Sequence, residues 1–319
     1  MNRIEYLVIS SSIDYSTDLV CYQLYKLEKK YYRLNRDELS KHKIVVDLEK
    51  RSMCISIENN NYFLAFDGLI GIYFRAPVFL RTNSKKELTV EEQLERNQWS
   101  SFLRNLIVFE KANWINHPVF TYQAENKLFQ LKTAKECGLE IPKTLVTNTD
   151  DVYINADEMY VVKSLDTALF YDLKKEKEMF TYSNVIQGIE LKEYDLSLAP
   201  FFVQELLEPK IDCRITFVGE KLFPVQIVKH QNGISGDWRK HKEELEYIQF
   251  KLPNDIEEAL KSLMSRLGLI FGGIDLVYCD GSYYFIEVNP TGEWGWLEVK
   301  CGLNISLAIV EAMEGLQYD

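Results

Sequence analysis

Between Phe271 and Glu298 the sequence FGGIDLVYCDGSYYFIEVNPTGEWGWLE leaves the backbone few options. Gly273–Tyr278 alternates in a β-prone run, Asp280-Gly281 is a strong two-residue turn signal, and Ser282–Val288 is a returning run of the same kind. The pattern predicts a β-hairpin. Asp275 precedes the turn, while Glu287 and Asn289 follow it at an i, i+2 spacing that sends both side chains to one face of their strand. Two carboxylates and an amide oxygen converging on one side of a sheet suit a hard cation such as Mg²⁺ held together with substrate phosphates. The same residues would also serve as a strand-end cap, at Asp275, and as the start of a turn, at Asn289-Pro290.

With 319 residues, 46% of them hydrophobic, the chain can bury a substantial core and its length suits two or three domains. A net charge of −11 argues against nucleic acid or an anionic membrane as partner, since both need basic patches. A cationic partner segment fits better. The six cysteines, Cys21, Cys54, Cys137, Cys213, Cys279 and Cys301, show no CxxC pair and no zinc spacing, as expected of free thiols in a reducing compartment. The chain opens on a strand-like Ile4–Ile9 and not on a signal-peptide pattern, and no apolar run is long enough to span a bilayer, which predicts a cytoplasmic protein.

Residues 1–120 read as an α/β unit: a strand through Ile9, a helix over Thr17–Lys29, strands over Lys43–Leu48, Met53–Glu58, Tyr62–Phe66 and Leu69–Phe74, and a long helix over Thr89–Glu110. Residues 121–200 open with a helix over Tyr122–Cys137, ended by Gly138, and continue into a strand over Tyr160–Ser164 with Lys163 at its end, placed as a cation for phosphates would be. The charged stretch Lys174–Asp195 reads as a mobile segment carrying Glu190, Glu193 and Asp195. It could equally be a plain solvated loop. Residues 201–319 hold a strand from Phe201 into a linker at Glu208, a hairpin over Ile211–Leu222, a helix over Ile256–Leu267, the metal hairpin and a closing helix over Ser306–Glu314. Arg214 and Arg239 are forked guanidiniums of the kind that hold a transferring phosphoryl group.

Gly273-Ile274-Asp275-Leu276 followed by Phe285-Ile286-Glu287-Val288-Asn289-Pro290 resembles the metal-binding hairpin of the ATP-grasp ligases. The Trp-rich tail, Asn289 to Glu298, resembles that of the ATP-grasp peptide ligases that mature microviridin-type peptides, the graspetides. Trp294 and Trp296 would otherwise be ordinary core aromatics.

The resemblance implies an α/β (α+β) ATP-grasp fold. An N-terminal pre-ATP-grasp domain would span 1–120, a central subdomain 121–200, and a C-terminal subdomain with the metal site 201–319. It further implies ATP with two Mg²⁺ ions on Asp275, Glu287 and Asn289, and phosphate contacts from Lys127 and Lys163. Adenine would lie at Gln204, Glu205 and Leu207, ribose at Glu208, and the catalytic guanidiniums would be Arg214 and Arg239. Two departures stand out. Where the family usually has Arg-Arg-Pro this chain has Arg75-Ala76-Pro77, so a substrate-binding role for Arg75 competes with a simple ion pair; and Asp166-Thr167-Ala168-Leu169 carries no glycine where many relatives have a Gly-rich phosphate loop.

In that family a leader helix of the precursor peptide docks around the central region, which assigns Glu190, Glu193 and Asp195 to leader binding. The expected reaction is ATP-dependent activation of an Asp or Glu side chain as an acyl phosphate, followed by attack of a Ser or Thr hydroxyl or a Lys amine of the same peptide. The expected assembly is a homodimer. Two alternatives remain open from the sequence: a ligase that adds a free amino acid such as glutamate, and a non-catalytic ATP-binding regulator.

Overall fold

The computed structural model describes residues 2–75, 88–149, 154–165, 169–172, 177–180, 183–191, 196–236, 238 and 245–315. The N-terminal region contains a four-stranded parallel sheet in the order Tyr31–Asn35, Tyr6–Ser10, Gly71–Phe74, Asn113–Ile115. Its central strand is fully buried, as the continuous apolar run Tyr6-Leu7-Val8-Ile9 requires. A second sheet places Lys43–Asp47, Ser52–Ile57 and Asn60–Ala65 antiparallel, with Asn2–Arg3 at its edge. One face of the parallel sheet packs with Phe66, Phe109 and Trp114. The other, through Tyr6, Val8 and Tyr73, packs with Phe271, Trp294 and the closing helix Ile305–Met313, so the last segment of the chain completes the core of the first.

The helix expected over Tyr122–Cys137 is two helices, Pro118–Ala124 and Lys127–Glu136. Asn126 separates them. Its extended backbone (ψ 100°) starts the second helix, while its amide donates to the carbonyls of Tyr122 and Gln123 and closes the first. The long helix is likewise shorter than expected, Val90–Asn105, opened by a capping box between Thr89 and Glu92 and followed by a 3₁₀ turn over Leu106–Val108. The charged stretch read as a mobile segment contains strands Lys177–Phe180 and Asn184–Gln187 and a short helix Gly188–Leu191. Charge had hidden the β pattern there.

Two further sheets face each other. The first is antiparallel throughout, in the order Asn184–Gln187, Met159–Lys163, Phe201–Glu205, Thr144–Thr147. The second has five strands in the order Glu246–Gln249, Lys221–Val228, Lys210–Val218, Phe271–Cys279, Ser282–Asn289, also antiparallel. One face of this sheet, through Ile215, Phe217, Ile274, Leu276 and Phe285, packs on Leu260, Leu263 and Met264 of the helix Asn254–Arg266. The opposite face turns toward the first sheet.

Candidate active site

The expected hairpin is present, with Asp280 and Gly281 at φ 48° and 83° in the turn, the left-handed pair that a two-residue connection needs. Its ladder is regular from Cys279↔Ser282 to Leu276↔Phe285 and then shifts, so that Asp275 pairs with Glu287 and Ile286 is the extra residue of a bulge. Gly273 pairs with Asn289. Asp275, Glu287 and Asn289 therefore share one face of the sheet. On the neighbouring strand Arg214 pairs with Asp275, which puts Lys210, Asp212, Arg214 and Thr216 on that same face by the two-residue period.

Arg214 is 7% exposed, and its Nη1 donates to Asp275 Oδ1 at 3.0 Å. Nη2 reaches the Glu293 carbonyl at 3.4 Å. Two glycines make the slot for this guanidinium: a Cβ on Gly273 would lie 2.2 Å from Nη2, and one on Gly292 would lie 2.5 Å from the same atom. Nε of Arg214 is buried without a hydrogen-bond partner, as is Oγ1 of Thr216. A buried donor left unpaired is costly, so this corner of the site is built to accept an oxygen.

Lys127 extends from the first turn of its helix to Glu287, Nζ to Oε2 at 3.1 Å. Each carboxylate of the triad thus has a cation beside it. Among the described residues no group of three or more His, Cys, Asp and Glu gathers to hold a metal. Asn289, exposed at the strand end, can add an amide oxygen to the two carboxylates. The all-oxygen donor set and the orphaned Nε beside it fit Mg²⁺ with phosphate oxygens.

Between the two facing sheets lies a cleft of about 390 Å³ whose walls include Lys127, Lys163, Gln204, Glu205, Leu207, Asp275, Glu287 and Asn289. Eight of the sequence-predicted residues are therefore brought together. Gln204 donates to Thr144 Oγ1 at 2.8 Å, and Glu205 accepts from the Lys143 amide at 2.8 Å, so these side chains brace the strand and leave the linker backbone to the cleft. Glu208 is not in the cleft wall: its carboxylate accepts from Ser235 Oγ at 2.8 Å and the Gly236 amide at 3.1 Å, fastening the loop that carries Trp238. The cleft also contains Lys210, Asp212 and Trp238, which sequence reasoning did not single out. The signal for Lys210 and Asp212 was the K-x-D-x-R alternation ending at Arg214.

Arg75 is not in the cleft wall and binds the Gly292-Glu293 turn that Arg214 also contacts. The Arg75 side chain is 5% exposed and bound to Asp14 at 2.9 Å and Glu293 at 2.7 Å, with Nη1 donating to the Gly292 carbonyl at 3.3 Å. The ion-pair expectation for Arg75 holds, with Arg75 and Asp14 buried and Glu293 exposed. Burial raises the Asp14 carboxyl, but the Arg75 guanidinium and the Thr17 amide outweigh it and hold the group below its ordinary value. Glu190 is exposed on its short helix. Arg239, Glu193, Asp195, Ala76 and the 166–168 stretch lie outside the described residues. Of the two tail tryptophans, Trp294 is 1% exposed core, donating to Tyr73 Oη at 3.3 Å, while Trp296 packs between Trp238 and Tyr247.

No protein-family model matches the sequence. A RiPP-associated ATP-grasp ligase of Chryseobacterium gregarium, solved in complex with ADP and a leader and core peptide, superposes with a TM-score of 0.84 at 25% identity, covering 98% of this chain and 96% of that one. The chain has the ATP-grasp fold. The macrocyclase MdnC of Microcystis aeruginosa MRC, bound with its precursor peptide MdnA, gives a TM-score of 0.82 at 23% identity over 98% of this chain and 99% of that one. PsnB, an ATP-grasp ligase solved with a phosphomimetic precursor variant, Mg and ADP, gives 0.72 at 17% identity over 98% of each chain. Among curated proteins, a tetrahydromethanopterin:alpha-L-glutamate ligase of Methanocaldococcus jannaschii is 25% identical over 236 residues, 69% of this chain and 77% of that protein. Among the described residues no helix is long and apolar enough to cross a membrane.

Proposed function

We propose that this ATP-grasp chain is an ADP-forming ligase that activates Asp or Glu side chains of a ribosomally made precursor peptide and closes intramolecular ω-ester or ω-amide cross-links. The observation that carries this reading is full-length similarity, N-terminal region included, to ATP-grasp ligases solved with precursor, leader or core peptides. In this reading ATP lies in the cleft, with adenine along the Gln204–Leu207 linker and phosphates toward Lys127 and Lys163. Asp275, Glu287 and Asn289 hold one or two Mg²⁺ ions, which would screen the triphosphate and the phosphoryl group in transit.

Arg214, fixed by Asp275 and the two glycines, presents its guanidinium where negative charge develops as a peptide carboxylate takes the γ-phosphoryl group, and Arg239 is assigned to the same task. A hydroxyl or amine of the same peptide then displaces phosphate from the acyl group. The partner is an acidic core containing Thr, Ser or Lys, with a leader docked near Glu190, Glu193 and Asp195. The assembly is a cytoplasmic homodimer.

The glutamate ligase likeness supports a second reading, addition of a free amino acid to a carboxylate. ADP release with Mg-ATP, measured against a peptide encoded beside the gene and against free amino acids, separates the two. Stimulation by the peptide alone supports cross-linking; stimulation by free glutamate alone would replace it.

A further inference from the structure

The returning strand of the hairpin, Ser282–Asn289, is the edge of its sheet, so its outward backbone groups need partners from elsewhere. At Val288 both are supplied by one side chain: the N–H donates to Gln130 Oε1 at 2.9 Å and the carbonyl accepts from Gln130 Nε2 at 2.8 Å. Gln130 is 2% exposed and sits three residues after Lys127 on the same helix, so one turn of helix reaches both Glu287 and Val288. At Pro290 the carbonyl accepts from Asn116 Nδ2 at 2.9 Å. Asn116, 1% exposed, also donates to the Phe271 carbonyl at 2.8 Å and accepts from the amides of Ile270 and Phe271 at 2.8 Å each. Its amide is filled to capacity.

Asn289 is thus flanked by two residues, Val288 and Pro290, whose backbones are gripped by separate buried amides. Asn116 additionally ties the end of the hairpin to its beginning. Neither amide touches a triad oxygen in these contacts; each acts through backbone that any shift of the strand would leave unpaired and buried. We propose that Asn116 and Gln130 are positioning residues of the divalent-cation site, setting the placement of Glu287 and Asn289 toward the ion. This rests on reading Asp275, Glu287 and Asn289 as that site.

The test is binding of ADP to the full chain, measured by calorimetry across a Mg²⁺ titration and again in EDTA. Asn116→Asp turns a donor into an acceptor facing two carbonyls, Gln130→Leu removes both contacts to Val288, and Leu64→Ala, in the remote N-terminal core, controls for lost stability. The expected result is a Mg²⁺ half-saturation raised about tenfold or more in the first two variants, the scale on which outer-shell partners act. ADP affinity in EDTA should be unchanged in all, and the Mg²⁺ response normal in Leu64→Ala. An unchanged Mg²⁺ half-saturation, or affinity falling equally with and without metal, overturns the inference. Should Asn116→Asp fail to fold, Gln130→Leu decides by the same criteria. A wild-type chain whose ADP binding ignores Mg²⁺ would overturn the metal-site reading and the inference together.

Discussion

Asp275 faces Glu287 across the hairpin one position away from the partner its turn alone would give it. Counted back from Asp280-Gly281, a regular ladder pairs Asp275 with Ile286 and turns Glu287 toward the apolar face with Ile274. The bulge at Ile286 brings Glu287 to the cleft. Bulges next to functional sites re-aim side chains in this way.

Asp275→Asn and Glu287→Gln should each lower ADP formation by about 10²-fold or more, because each removes a charge from the proposed Mg²⁺ site. Their stabilities should differ. Asp275→Asn weakens the partner of a buried arginine, with side-chain exposures of 9% and 16%, and should cost about 1–3 kcal/mol. Glu287→Gln affects a pair more open to solvent, at 22% and 23%, and should cost less than about 1 kcal/mol. Thermal melts beside ADP assays check both orders; equal turnover to wild type in either variant contradicts the site.

Gly273→Ala and Gly292→Ala should displace the Arg214 guanidinium, since the added methyl meets Nη2 at 2.2 and 2.5 Å. Turnover should fall by about 10²-fold in each, the loss expected when a charge-stabilising donor is moved. ADP affinity should change little. Full turnover in Gly273→Ala would remove Arg214 from the chemistry.

Arg75→Met should cost about 3 kcal/mol or more at neutral pH, because it strands the buried Asp14 carboxylate. Asp14 titrates low in the folded chain, so its contribution is present above the unfolded pKa and is lost as pH falls through the folded one. The gap between wild type and variant should therefore narrow below about pH 4. Urea midpoints measured between acid and neutral pH show this; a gap independent of pH would mean that the network matters only through packing.

Glu190→Lys should weaken binding of a basic leader segment by roughly fivefold, the scale of an exposed charge, and leave ATP binding unchanged. Equal affinity for the precursor in variant and wild type would discard this part of the docking surface.

The hairpin was legible in period-two alternation and a two-residue turn, whereas Asp275, Glu287, Asn289, Lys127 and Lys163 were picked out by local strings that resemble the ATP-grasp ligases, and the structure gathers them in one cleft. The sequence did not disclose the bulge, since Ile286 fits a strand in either register and only packing against the apolar face selects one. Asn116 and Gln130 were also hidden. A buried amide leaves no periodic trace, and its partners lie 155 and 158 residues away in sequence. Arg75 was seen, but that Asp14 and Glu293 enclose it depends on the tail of the chain returning to the first sheet. The break at Asn126 was missed because helical spacing continues on both sides of it.

Peptide cross-linking is read out by mass spectrometry of a short acidic peptide encoded beside the gene, after incubation with the full chain and Mg-ATP. The expected result is loss of one water per cross-link, with ADP and phosphate released in step. ATP bound and hydrolysed with the peptide mass unchanged would contradict cross-linking.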